Sequence, residues 1–156
     1  MKVTQHHRSI ILLAHNIRSL WNVGSFFRTA DAFGIERIIL TGYTATPPRR
    51  EISKTAIGAQ DWIPWSFERD PIIAMIALKE MGYTIVGLEL TERSQNLTDY
   101  VPDNKLCLVV GHEVTGVPKE LLSICDSVVA IPMCGKKESL NVAVAAGIAL
   151  HHLRSS

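Results

Sequence analysis

The sequence has few cysteines and none of the spacings that make cysteine chemistry recognisable. Its 156 residues contain three, Cys107, Cys125 and Cys134, with no CxxC pair and no histidine at zinc-site spacing. An odd, scattered set of thiols excludes a disulfide framework and is typical of reduced cysteines in an intracellular protein. We therefore predict a cytoplasmic location.

Long hydrophobic segments are also missing. The longest apolar run, residues 142–150, is far shorter than the ~20 residues of a membrane-spanning helix. The apolar stretch near the N-terminus is too short, and wrongly flanked, for a signal peptide. The sequence thus predicts a soluble protein with no membrane partner.

An excess of charge of either sign is lacking as well. The formal net charge is +1, with 20% charged and 47% hydrophobic residues, which is typical of a globular protein rather than a disordered one. A net charge near zero neither requires nor excludes a nucleic-acid partner. The length predicts a single domain, residues 1–156, with its own core.

Several common catalytic and nucleotide-binding motifs are absent or incomplete. There is no GxGxxG and no GxSxG. The segment GHEVTGVP, residues 111–118, has the glycine spacing of a P-loop, but Val117 and Pro118 replace the required Lys and Ser/Thr, and HEVTG is not the HExxH of zinc proteases. Taken alone, the segment indicates a tight turn after a buried strand, with a solvated Glu113 at its tip.

Histidines form no recognisable ligand set either, so we predict no metal site. No metal-site spacing connects His15, His112, His151 and His152.

Short runs of β-branched residues and leucine alternate with helical patterns. The runs are continuously apolar, as expected for strands buried on both faces. This alternation predicts an α/β fold with a mostly parallel sheet flanked by helices. The predicted strands are residues 9–14, 37–42, 84–90, 106–111 and 127–132, and the predicted helices are 22–34 with Gly34 as C-cap, 70–82 with Asp70 as N-cap, 117–125, and a last helix from about Leu140.

The segment from Tyr43 to Phe67 interrupts this alternation. It is either a functional excursion or a surface loop that carries a short helix. Trp62 and Trp65 could stack on a base, but their apolar surroundings favour packing in the core. Five basic residues are solvated side chains or, if they converge in space, a phosphate-binding rim: Arg49, Arg50 and Lys54 here, and Lys136 and Lys137 near the C-terminus.

Unusual polar residues follow three of the predicted strands, and ligands of parallel sheets gather where strands end. Asn16, Arg18 and Asn22 precede the first helix, where they either cap the loop or bind a phosphate and a ribose. Further along that helix, Arg28 stands three residues before Asp31, and the pair predicts a weak surface ion pair.

The C-terminal stretch IPMCGKKESLNVAVAAGIALHHL changes abruptly from a polar turn to a helix with almost no polar face. Taken alone, the stretch indicates a buried core helix preceded by a polar turn, and its alanines and Gly147 permit close backbone approach. Ser139 and Asn141 lie at the junction of turn and helix.

Three segments, in order, resemble the motifs of the SpoU/TrmH family of RNA 2′-O-ribose methyltransferases, of the SPOUT class. Each motif is weak alone, but the ordered set is specific and covers nearly the whole chain, which is similar to a minimal single-domain member. The segments are HNIRSLWNVGSFFRTADAFG (residues 15–34), LVVGHEVTGV (residues 108–117) and VVAIPMCGKKESLNVAVAAGIAL (residues 128–150).

The resemblance implies a trefoil knot in the C-terminal third, S-adenosyl-L-methionine (AdoMet) as cofactor, tRNA or rRNA as substrate, and a homodimer that completes the site. In the C-terminal stretch, it implies that the polar turn closes over AdoMet and that the last helix packs against its own sheet and a second subunit. It implies cofactor contacts at Leu88, Glu89, Gly111, Ile131 and Leu140. The catalytic group it implies is Arg28, Asn22, Glu113, Ser139 and Asn141. For substrate binding we add the basic and polar candidates Asn16, Arg18, Arg49, Arg50, Lys136 and Lys137.

Methyl transfer from a sulfonium needs donor methyl, 2′-oxygen and leaving sulfur nearly in line, so positioning supplies much of the rate. In the family, the arginine that matches Arg28 is proposed to activate the hydroxyl. A guanidinium normally stays protonated, so a role in binding phosphate and orienting the hydroxyl is equally consistent. Two other functions stay open: a non-catalytic RNA-binding protein with the same fold, and a flavodoxin-like nucleotide-binding domain.

Overall fold

A single seven-stranded sheet organises the protein. The computed structural model describes Met1 and residues 8–156. Every strand pairing within these residues is parallel, and the strand order is β3-β2-β1-β6-β4-β7-β5. The strands are β1 (Ser9–His15), β2 (Arg37–Thr41), β3 (Trp65–Glu68), β4 (Thr84–Leu88), β5 (Gln95–Asn96), β6 (Lys105–Val110) and β7 (Ser127–Ala130).

Helices cover both faces of the sheet, which is why the strands are continuously apolar. Alternate residues of β1 point to opposite layers: Leu12 packs in the cluster that contains Phe26, and Ile11 in the cluster that contains Met75. The first layer holds α1 (Leu20–Phe33), α2 (Arg50–Ala56) and α5 (Val142–Ser155), and the second holds α3 (Pro71–Glu80) and α4 (Lys119–Leu122). The predicted parallel α/β fold is confirmed.

Helix caps read from the sequence are largely confirmed. Gly34 ends α1 with φ of 60°, a left-handed conformation that suits glycine. Asp70 caps α3 by accepting a hydrogen bond from the Ile72 N–H, directly before Pro71 at the first helical position. The fourth helix is shorter than predicted, because only Lys119–Leu122 is helical, and the last begins at Val142, since Asn141 is its N-cap.

The segment from Tyr43 to Phe67 contains more regular structure than predicted. Besides α2 it holds a 3₁₀ turn, Ala59–Asp61, and the edge strand β3, which pairs with β2. The two-residue strand β5 was not predicted either. The prediction that Trp62 and Trp65 pack in the core is wrong, because their side chains are 59% and 37% exposed.

Trp62 also accounts for a second incorrect prediction. Its indole Nε1–H donates to Asp31 Oδ1 at 2.7 Å. Asp31 forms no ion pair with Arg28, since the one ion pair within residues 8–156 joins Lys79 and Asp126. The Arg28 side chain is left exposed on α1.

Helices α1 and α5 lie side by side and run in the same direction. Asn22 contacts Asn141 near their N-termini, a Cβ added at Gly147 would lie 3.9 Å from Thr29, and Phe33 meets the ring of His151 near their C-termini. Both helices consequently begin at the same edge of the sheet, where the strands end. A Cβ at Gly147 would therefore make an ordinary van der Waals contact with α1, and the predicted contact with a second subunit stays a prediction.

No helix in residues 8–156 is long and apolar enough to cross a membrane. The trefoil knot and the extent of the domain stay predictions.

Candidate active site

A cavity lies over the carboxyl ends of the neighbouring strands β6, β4 and β7. All five residues predicted to contact a cofactor line it: Leu88, Glu89, Gly111, Ile131 and Leu140. Ser139 lines it as well. Sequence reasoning assigned no role to other lining residues, notably His112, Met133 and Glu138, although all three lie within the quoted motif segments. Parallel α/β proteins bind ligands at this edge of the sheet, so the cavity is the candidate ligand site.

The wall of the cavity after β6 is a closed turn between two glycines. The Gly116 N–H donates to the His112 carbonyl at 2.9 Å, and His112 Nδ1 accepts from the Val114 and Thr115 N–H groups at 3.0 and 3.2 Å. Gly116 has φ of 74°, and a Cβ added at Gly111 would lie 2.5 Å from the Gly116 carbonyl oxygen. The predicted glycine-flanked turn is confirmed. Gly116 suits the turn because of its positive φ, and Gly111 because the Gly116 carbonyl leaves no room for a Cβ.

Glu89 ties the end of β4 to this turn. Its Oε2 accepts from the Val117 N–H at 3.0 Å, its Oε1 accepts from the Leu90 N–H at 3.1 Å, and its own N–H donates to the Val129 carbonyl at 3.0 Å. A Cβ at Gly116 would lie 2.0 Å from Glu89 Oε2. The carboxylate thus joins the end of β4 to the turn after β6, and the backbone N–H of the same residue joins it to β7.

Glu113 is not the solvated tip that the turn alone suggested. Its Oε1 accepts from the Arg18 N–H at 2.8 Å, and its Oε2 accepts from the Ser19 N–H at 2.8 Å and from Asn22 Nδ2 at 3.1 Å. Burial raises the pKa of Glu113, but these hydrogen bonds outweigh it and the pKa is lowered. The carboxylate therefore stays charged and satisfies N–H groups at the start of α1.

A chain of side chains continues from Glu113 to α5. Asn141 Nδ2 donates to Asn22 Oδ1 at 3.3 Å, while Asn141 Oδ1 accepts from the Ala143 and Val144 N–H groups at 2.9 and 3.2 Å. Asn141 is thereby the N-cap of α5. The chain Glu113–Asn22–Asn141 joins all three segments singled out in the sequence, across 91 and 119 residues of separation.

Comparison with known proteins decides the family. The model of the SpoU rRNA Methylase family matches residues 9–151 of the chain. The chain belongs to the SpoU rRNA methylase family.

Named SpoU relatives share about a third of its residues. A tRNA (guanosine(18)-2′-O)-methyltransferase from Aquifex aeolicus is 31% identical over 94% of this chain and 69% of its own length. The 23S rRNA (guanosine-2′-O-)-methyltransferase RlmB from Neisseria meningitidis is 32% identical over 93% of this chain and 58% of its own length. A crystal structure of an AdoMet-bound rRNA methyltransferase from Sinorhizobium meliloti superposes with a TM-score of 0.86 at 29% identity, over 96% of this chain and 57% of that one. The chain thus spans little more than half the length of two of these three proteins.

The other predicted catalytic residues of this SpoU chain stand apart from the hydrogen-bonded chain. Ser139 lies on the exposed loop that borders the cavity. Arg28 lies about two helical turns beyond Asn22, does not line the cavity and makes no side-chain hydrogen bond within residues 8–156. The cavity and Arg28 are therefore two separate parts of one subunit.

The predicted substrate residues divide into two groups. Asn16 is committed to the fold, because its Oδ1 accepts from the Tyr43 N–H at 3.0 Å with Asn16 at φ of 53°. The basic side chains are exposed and make no side-chain hydrogen bond in the described part of the chain: Arg18, Arg49, Arg50, Lys136 and Lys137. They remain available to an anionic partner.

The histidines have structural surroundings. Buried His15 contacts Thr41 Oγ1 through Nδ1 at 3.0 Å, and burial lowers its pKa although Asp70 opposes the shift. Residues 8–156 hold no group of three or more His, Cys, Asp or Glu that could bind a metal ion.

Replacing Glu113 with Gln is expected to destabilise the protein by about 1–3 kcal/mol at pH 7. One carboxylate oxygen becomes an amide NH₂, which cannot accept the hydrogen bonds that the facing N–H groups donate to the carboxylate. Because the folded pKa of Glu113 is lowered, the stability it adds is present above its unfolded value, about 4.3, and is lost as pH falls through the folded pKa. Urea unfolding at pH 7, 5, 4 and 3 should therefore show the two proteins converging in acid.

The matched control is Glu92→Gln, at an exposed glutamate without a side-chain hydrogen bond among residues 8–156. It should unfold like the wild type at every pH. A Glu113→Gln protein as stable as the wild type at pH 7 would contradict the capping role.

Proposed function

We propose that this protein is an AdoMet-dependent methyltransferase that modifies the ribose 2′-hydroxyl of tRNA or rRNA. The observation that carries the proposal is the convergence of three separate segments at one edge of the sheet. Five predicted cofactor residues line one cavity, and Glu113, which also lines it, begins the hydrogen-bonded chain to Asn22 and Asn141. Named relatives that methylate guanosine ribose in tRNA and rRNA support the same reaction.

The residues of the cavity fit AdoMet. Apolar Leu88, Ile131 and Leu140 line it together with the backbone of the Gly111–Gly116 turn. When bound, AdoMet supplies a methyl group on a sulfonium, whose positive charge disappears on transfer. The apolar and backbone parts of the wall suit this change, because they do not stabilise the cation before transfer. The carboxylates of Glu89 and Glu113 belong to the same wall, and each is engaged by two backbone N–H groups.

The two helix N-termini add a fixed electrostatic feature. Because α1 and α5 both begin at this edge, their positive dipole ends face the same region. Glu113 binds N–H groups at the start of α1, and Asn141 binds those at the start of α5. Glu113 and Asn141 thus fix the starts of both helices beside the cavity wall. Asn22 joins them through hydrogen bonds to both, so Asn22 and Asn141 act as positioning residues.

Arg28 is the proposed group for the substrate ribose and its phosphate. A guanidinium presents a planar fork of donors, which suits a phosphate oxygen and a hydroxyl together. Its place outside the cavity supports a site completed by a second copy of the chain. Ser139, on the loop that borders the cavity, is proposed to complete the substrate side.

A homodimer is proposed for the same reason. Val144 and Ile148 are one turn apart on α5 and are 51% and 42% exposed, although the rest of that helix buries apolar residues. A second subunit would cover these side chains. Sedimentation velocity should then give a species of twice the chain's 17.3 kDa, and a monomer at micromolar concentration would contradict this part of the proposal.

Three further expectations belong to the same proposal. The trefoil knot is supported by the superposition on SpoU methyltransferase structures. A location in the cytoplasm suits an enzyme that acts on tRNA or rRNA. Lys136 and Lys137, in the exposed loop before α5, are proposed to contact the phosphate backbone together with Arg18.

The proposal is tested by two linked measurements. Calorimetry should show AdoMet binding to the purified protein, and nucleoside mass spectrometry of total tRNA and rRNA, treated with protein and AdoMet, should show one additional 2′-O-methyl nucleotide. Absence of AdoMet binding at millimolar ligand would leave only an RNA-binding protein with the same fold. Binding without any new modified nucleotide would contradict the substrate class.

A further inference from the structure

Three aromatic side chains stand together on the surface without a covering element in residues 8–156. Tyr43, Trp65 and Phe67 are 60%, 37% and 47% exposed and line one groove with the loop Gly42–Arg49. We call this set the aromatic groove. Trp65 and Phe67 are two residues apart on the edge strand β3, so both face the same side of the sheet.

The aromatic groove adjoins the candidate active site. The Tyr43 ring meets the His112 ring edge-on, with centroids 6.5 Å apart, and His112 belongs to the turn that walls the cavity. The Tyr43 N–H donates to Asn16 Oδ1 at 3.0 Å, and Thr44 Oγ1 accepts from the Ile17 N–H at 3.0 Å. The groove is thus held against the loop that leads into α1.

Positive charge accompanies the aromatic rings. Arg49 lines the groove, Arg50 follows it at the start of α2, and both side chains are exposed. The carboxylate at the end of β3, Glu68, is engaged by the Asp70 N–H at 3.2 Å. Exposed rings interleaved with arginines match the chemistry of single-stranded nucleic acid, which offers flat bases and phosphates in alternation.

We propose that the aromatic groove binds an unpaired nucleobase of the RNA by stacking, with Arg49 on the adjacent phosphate. The inference rests on the proposed function, since it takes RNA as the substrate, and it adds a second contact point beside the reacting nucleotide. Tyr43 joins the two points, because it borders the groove and touches the cavity wall. A protein partner is less well matched, because bases and phosphates together account for both the rings and the arginines.

The test measures the binding of a fluorescein-labelled 12-nucleotide oligouridylate by anisotropy, without AdoMet. A second probe has the same sugar-phosphate chain but no bases. Loss of one base–aromatic stack corresponds to a roughly 5- to 100-fold weaker affinity. Trp65→Ala and Tyr43→Ala should each show such a loss on oligouridylate and stay within about 2-fold on the abasic probe, while Arg49→Ala should weaken both probes and lower the salt slope by about one.

Two further variants separate stacking from structural damage. Trp65→Phe keeps an aromatic ring and should bind oligouridylate within about 3-fold of the wild type. Trp62→Ala removes a tryptophan that is more exposed than Trp65 and lies outside the groove, beside Asp31, and should leave both affinities unchanged. If Trp65→Ala does not fold, Tyr43→Ala and Trp65→Phe still decide the question.

The outcomes of these RNA-binding tests do not depend on the results for AdoMet binding and methylation. Equal binding of the two probes by the wild type, or unchanged oligouridylate binding by both alanine variants, would overturn the groove even if AdoMet binds and RNA is methylated. A change of oligomeric state in Trp65→Ala would show a protein–protein contact and would overturn it as well. AdoMet calorimetry on the same preparations reports separately on the proposed function.

Discussion

Replacing Arg28 with Ala is expected to lower methyl transfer at least about 100-fold and to change the AdoMet affinity by no more than about 3-fold. If Arg28 has the proposed role, the variant lacks one charged donor to the reacting hydroxyl and its phosphate, and this sets the size of the expected loss. AdoMet affinity should persist because Arg28 does not line the cavity. Stability should stay within about 0.5 kcal/mol, because the side chain is exposed and makes no hydrogen bond within residues 8–156.

The measurement is single-turnover methyl transfer to total tRNA and rRNA, alongside calorimetry with AdoMet. Arg28→Lys separates the two roles open to the arginine. A Lys amine loses its proton near pH 10, far more readily than a guanidinium, so a base role predicts activity that is retained and rises with pH. A positioning role predicts a large loss at all pH values, because the planar fork is gone. Unimpaired turnover by Arg28→Ala would refute both.

The sheet was predictable where burial on two faces dictates composition. Strands such as β1 and β6, with helices on both sides, can only be continuously apolar, so their sequences identify them. Edge strands escape this reasoning. β3 is four residues long with Trp65 and Phe67 exposed, and β5 is two residues long with both exposed. Neither has enough buried positions to generate a pattern.

Part of the site was predictable for a different reason. Strand ends of a parallel sheet meet at one edge, so unusual residues after three strands had to come close together. The partner of each side chain was not predictable from local patterns. Glu113 binds N–H groups 94 and 95 residues away, and the same glutamate on an isolated turn would be solvated. Trp62 was misjudged similarly, because its apolar neighbours in sequence do not cover it in space.

Replacing Gly111 with Ala is expected to reduce AdoMet affinity at least about 10-fold and to destabilise the protein by about 1–3 kcal/mol. The added Cβ would lie 2.5 Å from the Gly116 carbonyl oxygen and 2.7 Å from the Val117 nitrogen. These are backbone atoms, so the turn itself must move. The Val117 N–H donates to Glu89, which lines the cavity, so a shift of the turn would also disturb this part of the wall.

Gly135→Ala is the matched control, because a Cβ there would meet nothing within 4 Å although Gly135 lies in the loop before Ser139. This control should bind AdoMet within about 2-fold of the wild type and unfold at the same urea concentration. Calorimetry and urea unfolding on both variants distinguish the steric clash in the turn from the general effect of replacing a loop glycine with alanine. Of the two glycines, only Gly111 lies against backbone atoms. Wild-type AdoMet affinity in a folded Gly111→Ala protein would place the cofactor elsewhere, because the turn after β6 would then be no part of its site.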